Sequence, residues 1–120
     1  MPALRVLIVD DDADLRETLA AFLKGRGFET AAAGEAETAM LMILKEKFDA
    51  VLLDIGLPGL SGFKAVPSIA EEGRAAVFLM TGHADAEIEK DAKLLGAKAL
   101  FGKPLDLEAV VAALSAVAPS

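Results

Sequence analysis

The chain's patterning predicts an α/β fold, a parallel sheet covered by helices on both faces. Three observations carry that expectation. Short apolar runs alternate along the sequence with longer segments of helical spacing. The main runs are apolar at nearly every position, as in strands buried on both faces, rather than at every second position. Polar residues stand at or just beyond the C-terminal ends of these runs, where open parallel sheets bind ligands. They are Asp10 and Asp11, Asp54, Thr81 and Lys103.

Leu4–Val9 reads as the first buried strand. Leu15, Leu19, Phe22 and Leu23 then fall on one helical face, with Asp12 or Asp14 near the N-terminus and Gly25 or Gly27 at the stop. Phe28–Ala32 is a weaker strand, suited to a sheet edge. Glu35–Glu46 carries Ala36, Ala39, Met40, Ile43 and Leu44 on one face, and Asp49–Leu53 is a second buried strand. The segment Gly56–Gly62 is rich in turn formers and reads as a loop. Phe63–Glu72 has helical character but contains Pro67, so this helix is expected to be short, distorted, or to begin near Val66. Ala75–Met80 is a third buried strand, and Ala84–Leu95 a helix stopped by Gly96. Lys98–Phe101 is a short strand, and Leu105–Val117 a last helix with Leu107, Val110, Val111 and Leu114 inward.

Length and composition narrow the function classes. A chain of 120 residues builds one domain with a single two-faced core. Hydrophobic residues at 54% and charged residues at 26% make it globular rather than disordered. Six Phe and no Trp or Tyr imply an aliphatic core. A net charge of −7 argues against gripping a phosphate backbone directly, because nucleic-acid binding rests on Lys and Arg. The absence of Cys removes disulfides and thiolate sites, and a cytoplasmic chain is expected. The N-terminal apolar run is too short for a signal peptide, and no run approaches the ~18 residues of a membrane span. Neither repeat nor linker interrupts the pattern, so a single domain with no output domain after it is expected.

If the strands ending at Asp10-Asp11 and Asp54 are neighbours, three carboxylates lie within several ångströms of one another. At ~4 Å, two unit charges repel by about 4 kcal/mol at an effective dielectric of 20. Such a cluster stays ionised only beside a counter-charge. Mg²⁺ suits it: a hard ion that prefers carboxylates, keeps waters and completes its shell with phosphate oxygens. Taken singly, each residue has an ordinary explanation. An Asp after a strand caps the next helix, a Thr makes a turn, and Lys-Pro says little. It is their joint placement, in order, that points to phosphoryl chemistry.

At Leu7-Ile8-Val9-Asp10-Asp11-Asp12, Leu52-Leu53-Asp54-Ile55-Gly56-Leu57-Pro58-Gly59, Met80-Thr81-Gly82-His83 and Lys103-Pro104, the chain resembles bacterial two-component response-regulator receiver domains, the CheY-like family. The resemblance runs from Leu4 to about Val117. It implies a flavodoxin-like, doubly wound five-stranded parallel sheet of order 2-1-3-4-5 with five helices. It also implies that Asp54 is the phosphoacceptor, receiving its group from a sensor histidine kinase, a phosphotransfer protein or a small phosphodonor. Mg²⁺, with Mn²⁺ as a substitute, would be held by Asp11, Asp54 and the Gly56 carbonyl, with Asp10 acting through water. Lys103 would pair with Asp54 and then with the phosphoryl group. Thr81 and the Gly82 N–H would donate to phosphoryl oxygens. Thr81 would then switch a surface around the last two helices and last strand, for a downstream target, a fused output domain or a homodimer.

Two positions depart from the family pattern. Leu100 stands three before the lysine, where an aromatic is usual, and Phe101 follows as an expected core residue. Pro67 is the other. His83, the one histidine, is expected to be a partly exposed loop residue without a catalytic role, and Met40 and Met42 fill the core and its margin. Self-catalysed dephosphorylation is expected, but not turnover of an external substrate. A phosphorylation-independent adaptor is the alternative. A haloacid-dehalogenase-type phosphohydrolase would need an Asp where Gly56 stands. A dinucleotide-binding fingerprint would need glycines where three aspartates stand.

Overall fold

The three central apolar runs can leave neither face in water, and they form the middle of one sheet. In the computed structural model, which describes residues 3–57, 65–72 and 75–118, the strands are β1 (Arg5–Val9), β2 (Glu29–Ala33), β3 (Ala50–Asp54), β4 (Ala76–Thr81) and β5 (Ala99–Gly102). They alternate with helices α1 (Ala13–Gly25), α2 (Ala36–Lys45), α3 (Ala65–Glu72), α4 (Ala86–Leu94) and α5 (Leu107–Ser115). All pairings are parallel, and the strand order is β2-β1-β3-β4-β5. Residues 6–9 of β1, all of β3 and 77–81 of β4 are buried.

Successive residues of each strand face opposite sides, so the core has two layers. Val6, Ile8, Leu52 and Met80 pack with Leu19 and Leu23 of α1 and with Val110 and Leu114 of α5. Leu7, Val9, Val51, Leu53 and Leu79 pack against α2, α3 and α4 through Ile43, Ile69 and Ala92. Full burial of each such Leu or Ile is worth roughly 1.5–3 kcal/mol. The sheet's centre is therefore firmly held, and its C-terminal edge inherits that rigidity.

Helix ends follow capping chemistry. Of the two candidate caps for α1, Asp12 is the one used: its Oδ1 accepts from the Asp14 and Leu15 N–H groups at 3.0 and 3.3 Å. Of the two candidate stops, Gly27 supplies the positive φ of 91° after the helix. Asp85 and Asp106 cap α4 and α5. Because a cap residue is itself extended, these helices begin later than periodicity alone suggests. Phe28 is buried just ahead of β2, which begins at Glu29 and forms one edge of the sheet.

Leu44 does not face inward as α2's periodicity suggested. It is 65% exposed, because the buried stripe narrows to Ala36, Ala39 and Ile43. Pro67 stands at the third described position of α3. Pro58–Gly62 of the expected loop, together with Phe63 and Lys64, lie outside the described residues.

Candidate functional site

Parallel register places Val9 opposite Leu53, so the next residues, Asp10 and Asp54, meet across β1 and β3. Strand order reverses between these strands, which is where open α/β sheets hold ligands. On the other side Asp54 pairs with Met80, and Thr81 with Gly102. Lys103 follows directly, its N–H donating to the Thr81 carbonyl at 2.8 Å. Four strand ends thus bring Asp10, Asp11, Asp54, Thr81 and Lys103 to one edge.

Asp10 has no exposed surface, and each of its polar groups has a partner. Its N–H donates to Ala33 O at 3.2 Å. Its carbonyl accepts from Arg16 Nη1 at 2.8 Å, its Oδ1 from the Asp12 N–H at 2.9 Å, and its Oδ2 from Lys103 Nζ at 2.7 Å. Asp54, also buried, takes the Gly56 N–H on Oδ1 at 2.9 Å and Lys103 Nζ on Oδ2 at 3.3 Å. The lysine therefore bridges both acids and lies nearer Asp10, whereas the family resemblance had suggested Asp54 alone. Asp11 is exposed, and its side chain has no hydrogen bond or ion pair among the described residues.

One oxygen from each of Asp10, Asp11 and Asp54 lies within 4.8 Å of the others. Three carboxylates against one ammonium leave two negative charges in excess. A divalent cation with a preference for hard oxygen ligands matches both that charge and that donor set, so these residues fit Mg²⁺. Burial opposes protonation of Lys103, but the hydrogen bond and charge of Asp10, joined by those of Asp54, outweigh it. Its pKa is held above the ordinary lysine value of 10.5. The ammonium is a fixed cation at neutral pH.

Thr81 is buried, and its Oγ1 accepts from the His83 N–H at 3.1 Å, leaving the hydroxyl hydrogen to be given elsewhere. Gly82 and His83 are exposed in the turn after β4, and Gly56 is exposed in the turn after β3. Leu100 and Phe101 part company across the sheet. Leu100 packs toward α2, α3 and α4, while Phe101 joins the α1–α5 layer and stacks on Phe78 with ring centroids 6.1 Å apart. Sequence reasoning missed Arg16. A cation in the first turn of a helix opposes the macrodipole, and that misplaced charge was the available signal.

A family model described as the response regulator receiver domain matches residues 6–115. The chain belongs to that family. The receiver domain is 39% identical over 106 residues to a cyclic di-GMP phosphodiesterase of Thermotoga maritima, covering 88% of this chain and 28% of that protein. It is 37% identical over 105 residues to the regulatory protein AtoC of Escherichia coli, covering 87% of this chain and 23% of AtoC. It thus spans about a quarter of the length of these curated relatives. Among solved structures, a Burkholderia pseudomallei response regulator with a phosphorylated aspartic acid and a calcium ion superposes with a TM-score of 0.85 at 28% identity, covering 92% of this chain and 66% of that one. A fold of this order with five flanking helices is CheY-like, and the receiver domain is a module of two-component signalling. No helix among the described residues is long and apolar enough to cross a membrane.

Proposed function

We propose that Asp54 accepts a phosphoryl group from a sensor histidine kinase or a phosphotransfer protein, and that the modified receiver domain alters its partner-binding surface. The observation that carries this reading is Asp54 at a strand end, bridged to buried Asp10 by Lys103 and adjoining the exposed Asp11. The Burkholderia relative, solved with its aspartic acid phosphorylated and a calcium ion, lends support.

An Asp54 oxygen forms a bond to phosphorus as the phosphohistidine P–N bond breaks, and the imidazole leaves with the electron pair and takes up a proton. With a small acyl phosphate, the leaving group is a carboxylate. Lys103 moves from bridging the two acids to pairing with the phosphoryl oxygens, and the Thr81 hydroxyl and Gly82 N–H donate to them. Asp11, Asp54 and the Gly56 carbonyl, with Asp10 through water, would hold Mg²⁺ or Mn²⁺. The ion supplies neutralisation of the charge on the transferring group, the main requirement of phosphoryl transfer. Water later cleaves the acyl phosphate, restoring Asp54 and releasing inorganic phosphate. The domain thus resets itself and turns over no external substrate.

The phosphoryl group carries roughly −1.5 to −2 charges in place of the −1 of the Asp54 carboxylate, so the site gains about one negative charge at most, together with new acceptor oxygens. Thr81 turns toward the phosphoryl group and gives up its contact with the His83 N–H. The turn leading into α4 moves with it, which biases the surface of α4, β5 and α5. Leu100 stands in place of an aromatic reporter, so an aliphatic repacking carries the change. Its partners are a downstream protein, an output domain in the same polypeptide or a second copy, in a cytoplasmic pathway without direct nucleic-acid or membrane binding by this domain.

Incubation with acetyl phosphate and Mg²⁺, followed by intact-mass measurement, tests the reading. One added phosphoryl group is expected on the parent and none on Asp54→Asn. Absence of modification at saturating donor would favour a phosphorylation-independent adaptor.

A further inference from the structure

We infer that Arg16 is a positioning residue for the acidic site, and that position 34 is glycine to leave room for its guanidinium. The inference rests on the Mg²⁺-binding reading above and deepens it. Arg16 is half-buried in the first turn of α1 and reaches back to the Asp10 carbonyl, with Nη1 2.8 Å from that oxygen. The carbonyl belongs to the peptide linking Asp10 to Asp11, so its orientation helps set where the exposed Asp11 carboxylate projects. The other Asp10 bonds hold its N–H and side chain. Arg16 is the one described partner of the carbonyl that no Asp10 side-chain contact can replace.

Gly34 supplies an independent observation. A Cβ built there would lie 2.7 Å from Arg16 Nη1, closer than real Cβ contacts come, and 3.1 Å from its Cζ, tighter than most. The Gly34 backbone is not in the positive-φ region that favours glycine. Backbone conformation therefore gives no reason for a glycine here; the passage of the guanidinium does. Ala33, immediately before it, accepts the Asp10 N–H. The end of β2 thus holds the Val9–Asp10 peptide through Ala33 and lets Arg16 through to hold the Asp10–Asp11 peptide. The obstructed atoms are the far end of a flexible side chain, so Gly34→Ala should displace the guanidinium without breaking the fold.

The effect should be indirect, through ligand geometry, as with outer-shell partners of metal ligands. The test uses the parent, Arg16→Met, Gly34→Ala and the double variant, each confirmed folded by circular dichroism. Mg²⁺ affinity is measured by calorimetric titration, and the Asp11 and Asp12 amides are followed by NMR in metal-free protein. We expect Arg16→Met to weaken Mg²⁺ about tenfold, in line with outer-shell substitutions, and to shift both amides without metal. Gly34→Ala should act in the same direction and add nothing in the Arg16→Met background. Unmoved amides with unchanged affinity, or a Gly34→Ala effect that persists undiminished without Arg16, would overturn the inference. A parent that binds no Mg²⁺ would sink the metal reading alone. The amide shifts, and their additivity across the two substitutions, would still decide the role of Arg16. Should Arg16→Met fail to fold, Arg16→Gln and the Gly34→Ala amide shifts decide it.

Discussion

Replacing Lys103 by Met would leave Asp10, which has no exposed surface, as an uncompensated charge beside Asp54. Loss of one partner of a buried pair costs roughly 3–5 kcal/mol, and the Lys103 head is partly exposed, so about 3 kcal/mol is expected from denaturant unfolding in EDTA. The sign of the pH dependence follows from the lysine. Its pKa is raised in the folded state, so its stabilisation is complete below 10.5 and is lost as pH climbs through the folded value. Unfolding measured from pH 8 to the alkaline limit should therefore show a decline above 10.5 that Lys103→Met lacks. An identical alkaline decline in both proteins would remove the Lys103 bridge as a source of stability.

At the level of elements, α1 matters to the site because its first turn carries both the Asp12 cap and Arg16. Asp12→Ala removes an acceptor for two helix N–H groups and should cost about 1 kcal/mol, whereas Asp12→Asn should be nearly neutral. The Asp12 N–H that binds Asp10 Oδ1 is main chain and survives both substitutions. Equal losses for Ala and Asn in chemical denaturation would show that the charge of Asp12, rather than its capping geometry, is what matters. The helices also show where periodicity misleads. Leu44 belongs to α2's apolar pattern yet points to solvent, because small Ala36 and Ala39 let the helix sit close along a narrow stripe.

For the whole molecule, Mg²⁺ binding to the folded state alone must raise stability by mass action. At 100 times the dissociation constant the gain is about 2.7 kcal/mol, which for a domain of this size is a rise of about 10 °C in Tm. Thermal melts with Mg²⁺ and with EDTA should show that rise in the parent. Asp11→Asn should respond weakly to Mg²⁺. Without metal it should be no less stable than the parent, since the exposed Asp11 charge adds up to about 1 kcal/mol of repulsion at its separation from the other acids. A lower metal-free Tm for Asp11→Asn would mean that Asp11 has a stabilising partner and is not held in readiness for a cation.

The order of apolar runs and helical segments determined the fold class by itself, because a strand buried on both faces can be built only from continuous hydrophobic sequence. It also located Asp10, Asp11, Asp54, Thr81 and Lys103, since each is tied by chain connectivity to the end of a strand. Tertiary structure decided the pairings. That Lys103 sits closer to Asp10 than to Asp54 depends on four strands, β1, β3, β4 and β5, brought side by side, over separations of 93 and 49 residues. That Arg16 reaches the Asp10 carbonyl past Gly34 depends on how α1 lies across the ends of β1 and β2. Sequence sets which groups stand at the sheet's edge, through local periodicity. Distances of an ångström or less decide which of them bond, and packing between distant segments sets those.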